Sequence, residues 1–283
     1  MKNQKTPVVS IIMATYNRAR QLNLTVKNIF DQSYDEIELI VINDGSTDDT
    51  IVTLQQLQSN FNFIVIDNAH NLGLQKSLNV GIGHASGKYI ARIDDHDKWV
   101  DTDKLSKQVA FLEAHPYVGV IGTGYKIGDK TMLNPLTDAD IRNQILMRSP
   151  FCHVSVLIAK EVLDQVGGYD ETLSYSEDWD LWLKIGKHAQ LANLPDITAA
   201  IQAEDISLSQ DFYLKQMPIN RKLVKRHFRD YPFRFKALLY HQFIRYFFVI
   251  FPLNGKVHNM MKIVFLKHFA LTPNKSTFNE PNI

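Results

Sequence analysis

Apolar and polar positions follow two different periods along the first half of the chain. Short, nearly continuous apolar runs predict buried β-strands at Val8–Ala14, Ile37–Ile42, Phe63–Ile66 and Lys88–Ile93. Between these runs, apolar residues recur at helical spacing in Leu22–Phe30, Asp48–Leu57 and Leu74–His84. Continuous apolar strands that alternate with helices are typical of a parallel sheet covered on both faces. Ligands of such sheets bind outside the carboxyl ends of the strands, so we expect the functional site there.

The second half of the chain continues this α/β pattern less regularly. It predicts strands at Val118–Thr123 and His153–Ile158, and helices at Lys104–Ala114, at Lys160–Val166 and from Glu177 to about His188. From Phe212 onward the composition becomes basic and aromatic. We therefore predict a main domain over residues 1–211, in two halves of residues 1–100 and 101–211. A helical extension over residues 212–283 is predicted to follow it.

Charge separates these two regions, although the whole chain of 283 residues has a formal net charge of only +1. Between Lys215 and His268 there are twelve Lys or Arg residues and one acid, Asp230, so the local net charge is +11. The rest of the chain therefore carries about −10. This asymmetry indicates an acidic main domain and a basic surface for an anionic partner.

The basic region includes an aromatic stretch, Pro232–Pro252, that Arg234, Lys236 and Arg245 interrupt. Its uninterrupted apolar runs are shorter than the ~20 residues that a membrane span requires. We expect an amphipathic helix on an anionic bilayer, and the alternative is a helical cap packed on the main domain. Nucleic acid is not an expected partner, because no recognised binding motif accompanies the charge.

Cysteine content and the start of the chain bear on the cellular compartment. The single cysteine, Cys152, excludes an intrachain disulfide, as suits a reducing environment. No signal peptide is visible in the first residues. We expect a cytoplasmic protein that can bind peripherally to the inner face of the cell membrane.

The strand Lys88–Ile93 runs directly into the most distinctive polar cluster of the sequence, Asp94, Asp95, His96 and Asp97. Carboxylate oxygens are the ligands that Mg²⁺ and Mn²⁺ prefer, and such ions commonly bridge nucleotide phosphates. An EF-hand is excluded, because the loop lacks the required glycine and the final glutamate. Successive strand residues face opposite ways, so not all four side chains can bind one ion. A phosphate-bridging site with few protein ligands is predicted.

Three further loops carry side chains suited to a nucleotide. Thr15, Tyr16 and Asn17 follow the first strand, where an aromatic ring and helix-start amides could hold a base and ribose. Asp44 follows the second strand, and its carboxylate could accept the imide hydrogen of uracil or thymine. Lys76 begins the third helix and could reach phosphate or ribose. Each residue type is also common in ordinary caps, turns and solvated helix faces, so this alternative stays open.

Acidic and aromatic residues also share the helix predicted to begin at Glu177. Asp178 and Trp182 stand four residues apart and therefore lie on one helix face. A carboxylate beside an indole plane could bind a sugar, which stacks on the ring while a hydroxyl meets the carboxylate. The alternative is that Trp182 belongs to the core and that the acids are favoured at a helix N-terminus.

Taken together in this order and spacing, these clusters resemble the family 2 glycosyltransferases, inverting enzymes with a GT-A fold. The resemblance covers roughly residues 7–209. Five segments carry it: Ser10–Asn17, Val41–Ser46, Asn71–Leu74, Ala91–Asp94 and Glu177–Trp179. It implies an α/β nucleotide-diphospho-sugar transferase fold, with a mostly parallel sheet flanked by helices and a helical C-terminal extension. Residues 1–100 would then bind the nucleotide sugar, and residues 101–211 would bind the acceptor.

The resemblance also implies a role for each candidate residue. The nucleotide-binding set is Thr15, Tyr16, Asn17, Asp44, Lys76, Arg92, Asp94 and Asp95. The set that holds Mn²⁺ or Mg²⁺ is Asp95, His96 and Asp97, and the set for acceptor or sugar is His153, Glu177 and Trp182. Asp178 would be the catalytic base of a single displacement. It would take the proton of an acceptor hydroxyl, which then attacks the anomeric carbon of the donor opposite the nucleotide.

The implied substrates are a nucleotide-diphosphate sugar, with UDP favoured, and a saccharide or lipid-linked acceptor of cell-surface polysaccharide synthesis. Two departures from the family pattern stand out: His96 takes the third place of an Asp-any-Asp-Asp motif, and Leu78 replaces a frequent arginine. A non-catalytic sugar-nucleotide-binding homologue and a nucleotidyltransferase are the alternatives. A dinucleotide oxidoreductase is excluded, because no Gly-x-Gly-x-x-Gly follows the first strand.

Overall fold

A computed structural model describes residues 7–201 and 210–250 of the chain. Its first half is a parallel sheet whose strand order is β3-β2-β1-β4. The strands are β1 (Val9–Thr15), β2 (Ile37–Asn43), β3 (Ile64–Asp67) and β4 (Tyr89–Arg92). The helices between them are α1 (Leu22–Phe30), α2 (Thr50–Leu57) and α3 (Leu74–His84). All seven predicted elements of this half are present, so these predictions are confirmed. Helices α1 and α3 have the predicted bounds, and the other elements differ from the prediction only at their ends.

The second half extends the same sheet past β4 in the order β8-β6-β9-β5, and β7 pairs with β6. Its strands are β5 (Lys98–Trp99), β6 (Val118–Ile127), β7 (Lys130–Met132), β8 (Leu157–Ala159) and β9 (Gln190–Ile201). Its helices are α4 (Lys104–Ala114), α5 (Asp138–Arg142), α6 (Lys160–Val166) and α7 (Glu177–Ile185). The β6–β9 pair is parallel, whereas β4–β8, β6–β8, β6–β7 and β5–β9 are antiparallel. The sheet as a whole is therefore mixed.

Two predicted elements of this half need correction. The expected strand His153–Ile158 begins as a 3₁₀ turn at His153–Ser155, and extended pairing starts only at Leu157. Ser155 explains the turn, because its buried hydroxyl donates back to the Cys152 carbonyl oxygen at 2.9 Å. Helix α7 ends at Ile185, short of His188.

The hydrophobic core lies on both faces of the sheet. Alternate residues of β1 point to opposite sides, so Ile11 and Met13 pack with α1 and α2 while Ile12 packs with α3. Side chains of the second half join both layers, including Trp99 on one side and Trp182 on the other. This double burial leaves the carboxyl ends of β1, β2 and β4, with the loops that follow them, as one polar edge.

Two helices of the C-terminal region follow, α8 (Gln210–Arg226) and α9 (Arg234–Ile250). Leu223, Val224, Ala237 and Tyr240 are buried in the core cluster that also contains α7. The inner sides of both helices therefore pack on the main domain, as the helical-cap alternative predicts. The expected boundary at residue 211 falls in the first turn of α8, and residues 251–283 of the predicted extension lie outside the described residues. Within the described part of the chain, no helix has the length and apolar character needed to cross a membrane.

Candidate active site

The loops after β1 and β2 are joined to each other by hydrogen bonds. Asn17 adopts a left-handed backbone conformation, with φ at 54°, and its N–H donates to Ser46 Oγ at 2.9 Å. Its side-chain oxygen accepts the N–H of Thr47 at 2.8 Å. Tyr16 directly precedes Asn17 and is 43% exposed, so its ring is available to stack on a flat ligand.

Asp44 is buried at the end of β2 and fixes the start of α3. Its carboxylate accepts the backbone N–H of Leu72 at 2.8 Å and of Gly73 at 3.0 Å, together with Asn68 Nδ2 at 3.0 Å. Burial by itself would raise the pKa of Asp44, but these hydrogen bonds hold the pKa below its usual value. The carboxylate is therefore ionised, and it already accepts hydrogen bonds within the turn before α3. This is what the alternative of an ordinary turn residue predicts for Asp44. Lys76 is exposed on the first turn of α3.

Glycine is required in the turn that follows Asp44. Gly45 has φ of +67°, a conformation that side chains rarely adopt. A Cβ atom there would lie 2.4 Å from the backbone carbon of His70. The backbone of the loop after β2 therefore packs directly against the backbone of the loop before α3, with no room for a side chain between them.

The acidic cluster after β4 divides into two parts. We call Asp94, His96 and Asp97 the ligand-type group, and Asp95 supports it from beside. Ligand atoms of Asp94, His96 and Asp97 all lie within 4.8 Å of one another. Asp95 is instead buried, where it accepts a hydrogen bond from Thr15 Oγ1 at 2.6 Å and contacts His96 Nδ1 at 2.8 Å. This group has Asp94 where the predicted metal set of Asp95, His96 and Asp97 has Asp95, and the predicted set stays a prediction. Asp95 lies outside the group because its carboxylate turns inward to Thr15.

This geometry fits a divalent cation by the chemistry of its donors. Two carboxylates and one imidazole form an acceptable set for Mn²⁺, and a carboxylate that holds the imidazole is the usual outer partner of a metal-binding histidine. The hydrogen bond to Asp95 also raises the pKa of His96, against the opposing effect of burial.

Arg92 connects this cluster with the helix that carries Asp178. Its guanidinium is buried and forms an ion pair with Asp94. Burial by itself would lower the pKa of Arg92, but the charges of Asp94, Glu177 and Asp97 act on it and the pKa is raised. Arg92 in turn lowers the pKa of Asp178 against larger raising effects. The ligand-type group and Asp178 therefore share one electrostatic neighbourhood.

Asp178 lies in the first turn of α7 with its side chain partly exposed. Burial, followed by the charge of Glu177, raises the pKa of Asp178 to about 7. An ordinary aspartate has a pKa of about 3.9, so this carboxylate is unusually basic. A pKa near neutrality is what a general base requires, because the group must both accept and release a proton.

Helix α8 holds the residue that precedes this acidic pair. Ser176 has a left-handed backbone conformation, with φ at 59°, which is unusual for residues other than Gly, Asn or Asp. Its hydroxyl donates to Asn220 Oδ1 at 2.7 Å and accepts from Gln216 Nε2 at 3.0 Å. The first turn of α7 is held too, because Asp180 accepts a hydrogen bond from Arg226 Nη1 at 3.0 Å. The extension thus fixes the direction in which α7 leaves the preceding loop.

Two of the residues assigned to the sugar or acceptor behave differently from each other. Trp182 is 0% exposed, and the rings of Phe151 and His153 meet it edge-on at 5.3 and 5.8 Å. The prediction that Trp182 stacks on a sugar is therefore wrong, since helical spacing could not separate a binding face from a core face. His153 is partly exposed and its Nε2 contacts the Tyr169 hydroxyl at 2.6 Å. Burial and the charge of Arg92 lower the pKa of His153 well below its usual value, so the ring is neutral.

Sequence reasoning missed Tyr169, Ser176 and Asn220. Tyr169 lies close enough to Arg92 and Asp178 for their charges to affect its pKa, which burial raises. The only sequence signal for Ser176 is its place before an acidic helix start, where serine is a common cap. No local sequence signal points to Asn220, because its hydrogen-bond partner Ser176 is 44 residues away in the sequence.

A parallel half-sheet, an acidic strand end and a basic carboxylate on one edge are the features expected of a transferase with the GT-A fold. The sequence model of the Glycosyl transferase family 2 matches residues 10–163, so the chain belongs to this family and is a glycosyltransferase. An uncharacterized glycosyltransferase of Haemophilus influenzae is 29% identical over 244 residues, covering 81% of this chain and 75% of that protein.

One further relative has a substrate in its name, and one solved structure contains a bound donor and a metal ion. The UDP-Glc:alpha-D-GlcNAc-diphosphoundecaprenol beta-1,3-glucosyltransferase WfaP of Escherichia coli is 30% identical over 208 residues, covering 72% of this chain and 81% of that protein. The solved structure of the mannosyltransferase PcManGT of Pyrobaculum calidifontis, in complex with GDP-Man and Mn²⁺, superposes with a TM-score of 0.64. It is 21% identical and covers 84% of this chain and 69% of that one, which confirms the GT-A fold.

Proposed function

We propose that this chain is an inverting glycosyltransferase that moves a sugar from a nucleotide-diphosphate donor to a hydroxyl group of a saccharide or lipid-linked acceptor. The process would be cell-surface polysaccharide synthesis. One observation supports this most: Arg92 pairs with Asp94 of the ligand-type group and also acts electrostatically on Asp178, the carboxylate of raised pKa.

The donor side of this proposal rests on the loops after β1, β2 and β4. Tyr16 offers an exposed ring for the base, and Asp44 offers the remaining acceptor capacity of its carboxylate for a uracil imide. Asp94, His96 and Asp97 would hold Mn²⁺ or Mg²⁺, and such an ion, when bound, neutralises charge on the diphosphate. WfaP uses UDP-Glc by its name, which favours a UDP-sugar. The PcManGT complex contains Mn²⁺, which supports that metal over Mg²⁺ at a site with an imidazole.

The acceptor side rests on Asp178. With a pKa of about 7, its carboxylate is half ionised at neutral pH and basic enough to take the proton of an approaching hydroxyl. The acceptor oxygen then forms a bond to the anomeric carbon as the bond from that carbon to the diphosphate breaks. Attack from the face opposite the nucleotide inverts the anomeric configuration. His153 and Glu177 remain candidates for contact with sugar or acceptor hydroxyls, because both are partly exposed near Arg92.

The lipid-linked form of the acceptor follows the substrate in the name of WfaP, a sugar on diphosphoundecaprenol. An enzyme with such an acceptor works where the lipid carrier resides, so we propose a cytoplasmic enzyme peripheral to the inner face of the cell membrane. The division into a nucleotide-sugar half (1–100), an acceptor half (101–211) and an extension (212–283) is proposed with it.

The test is transfer by Asp178→Asn with UDP-sugars, Mn²⁺ and an extract-derived lipid or saccharide acceptor. We expect transfer to fall by about a thousandfold or more, because amide replaces the only group proposed to take the proton. Donor affinity, measured by calorimetry, should stay within about twofold, because Asp178 is not proposed to contact the nucleotide. Equal losses of turnover and donor affinity would contradict the role of Asp178. Release of pyrophosphate instead of nucleoside diphosphate would show a nucleotidyltransferase.

A further inference from the structure

The outward side of α9 carries large apolar side chains where a helix packed on a core usually carries polar ones. Ala237 and Tyr240 face the main domain and are buried. On the opposite side, Phe235 is 66% exposed, Leu239 is 69% exposed and Tyr246 is 57% exposed. At 3.6 residues per turn, these three side chains fall within about 40° around the helix axis. We call Phe235, Leu239 and Tyr246 the outer face of α9.

This exposure is concentrated in one short segment. Fourteen large hydrophobic residues are exposed in the described part of the chain, and five of them lie between Phe233 and Tyr246. The other nine are scattered over residues 16–133, as is normal for single exposed apolar side chains. Gln242 is the polar residue on this side of the helix, between Leu239 and Tyr246. A cluster of exposed large apolar side chains on one helix face indicates a binding surface, because its contact with water is unfavourable.

The charges around the outer face indicate what kind of surface it binds. Residues 210–250 contain nine Lys or Arg residues against Asp211 and Asp230, which is a net charge of +7. Arg229, Arg234 and Lys236 are exposed close to the outer face in sequence. A second copy of the chain would bring two such basic surfaces together, which repulsion disfavours. An anionic bilayer offers both an apolar interior for the aromatic rings and negative headgroups for the basic side chains.

We propose that the outer face of α9 inserts into the headgroup–acyl boundary of an anionic lipid bilayer. The proposal deepens the proposed function, on which it rests for a lipid-linked acceptor, by naming the surface and residues that reach the membrane. Its geometry suits that acceptor. On the inner side of α9, His241 Nε2 donates to the Leu146 carbonyl oxygen at 2.9 Å, and its ring lies 5.7 Å from that of Trp179.

Trp179 directly follows Asp178 in α7. One helix diameter, about 10 Å, therefore separates the membrane-facing side of α9 from the helix of the proposed base. Docking through the outer face would hold α7 close to the headgroups, where the sugar of a lipid-linked acceptor is presented.

The experiment is co-sedimentation of the full chain with vesicles of phosphatidylcholine alone or with phosphatidylglycerol added. We expect binding to the anionic vesicles and a decrease when the salt concentration rises. Replacement of Phe235, Leu239 and Tyr246 together by Gln should reduce the bound fraction at least about tenfold, because their burial in the bilayer is lost. The matched control replaces Val52, Ile64 and Tyr117 by Gln; these are similarly exposed on the main domain and should leave binding unchanged. Circular dichroism checks that both triple variants are folded.

Equal vesicle binding by the two triple variants, or no binding of the native chain to anionic vesicles, would overturn the proposal. So would a native dimer, seen by sedimentation velocity, that the outer-face variant alone dissociates without any effect on vesicles. Failure of the proposed function gives a different result. The outer-face variant should still transfer sugar to a water-soluble acceptor, whereas Asp178→Asn should bind vesicles normally and transfer nothing. If no variant or native chain transfers sugar but vesicle binding follows the outer face, the docking proposal stands and the enzymatic one fails.

Discussion

The substitution Glu177→Gln tests whether the basicity of Asp178 arises from its surroundings. Burial is the largest cause of the raised pKa of Asp178, and the neighbouring charge of Glu177 is the second. Glutamine keeps the size and hydrogen-bonding capacity of Glu177 but removes its charge. The pKa of Asp178 should therefore fall, yet remain above that of an ordinary aspartate because the burial persists.

The expected size of this change follows from helix geometry. Neighbouring residues in the first turn of α7 project about 100° apart, which places their carboxylates roughly 6 to 8 Å from each other. At an effective dielectric constant of about 20, two like charges at that distance repel by about 2 to 3 kcal/mol. Since about 1.4 kcal/mol corresponds to one pKa unit, and solvent screens the partly exposed Asp178, we expect a decrease of about 1 to 2 units.

The assay is the pH dependence of kcat/KM for sugar transfer. A general base is active when deprotonated, so the rate of the native enzyme should fall as the pH decreases through about 7. In Glu177→Gln this acid limb should move to lower pH by about 1 to 2 units, whatever happens to the maximal rate. Glu161→Gln is the control, because Glu161 is also in the first turn of a helix but is exposed in α6. An acid limb that stays in place or moves to higher pH would refute the electrostatic reasoning.

Two further substitutions examine the ligand-type group and the contact from α8. Asp97→Ala should abolish most of the Mn²⁺-dependent thermal stabilisation by UDP while leaving the metal-free melting curve of native shape. An unchanged response to Mn²⁺ would count against a metal site at Asp94, His96 and Asp97. Asn220→Ala removes a hydrogen bond worth about 1 kcal/mol that holds Ser176 in its left-handed conformation, so kcat should fall by about fivefold with little change in donor KM. Asn220→Asp, which keeps the accepting oxygen, should restore kcat, and equal kcat values for the two variants would exclude this positioning role.

The parallel half of the fold was predictable because its signals are local. Each strand there is a nearly continuous apolar run, and each helix has a clear apolar stripe, so pattern and structure agree within about two residues. β9 escaped prediction for the opposite reason. Its twelve residues include Pro195 and Asp196, which are rare inside strands, and its pairing with β6 is interrupted by bulges.

In the candidate site too, the features that depend on local sequence were predictable and those that depend on distant residues were not. Chain-local motifs predicted which loops meet at the sheet edge, and those loops do lie together. The partners of individual side chains were not predictable, since they come from far along the sequence. Thr15 holds Asp95 across 80 residues, and that contact decides which carboxylates are left for a cation. Trp182 is not available to stack on a sugar, because the rings of Phe151 and His153 pack against it. Helical periodicity alone does not show which residues from other elements pack against a side chain.

The charges around Arg92 bear on how a donor could enter this site. Asp94 pairs with the Arg92 guanidinium, and the charges of Asp97, Glu177 and Asp178 also reach it, so the acids outnumber this buried cation. A nucleotide diphosphate brings further negative charge into the same space, and at low effective dielectric constant the repulsion would oppose its binding. A divalent ion at Asp94, His96 and Asp97 would offset both the acids and the diphosphate. Donor affinity should therefore depend strongly on metal. The same ion and the diphosphate would act on Asp178 in opposite senses, because a positive charge nearby favours the ionised carboxylate and a negative charge disfavours it. With both bound, these two effects offset each other, so the pKa of Asp178 in the loaded site is set mainly by burial and by Glu177. The acid limb of sugar transfer therefore reports on those two causes.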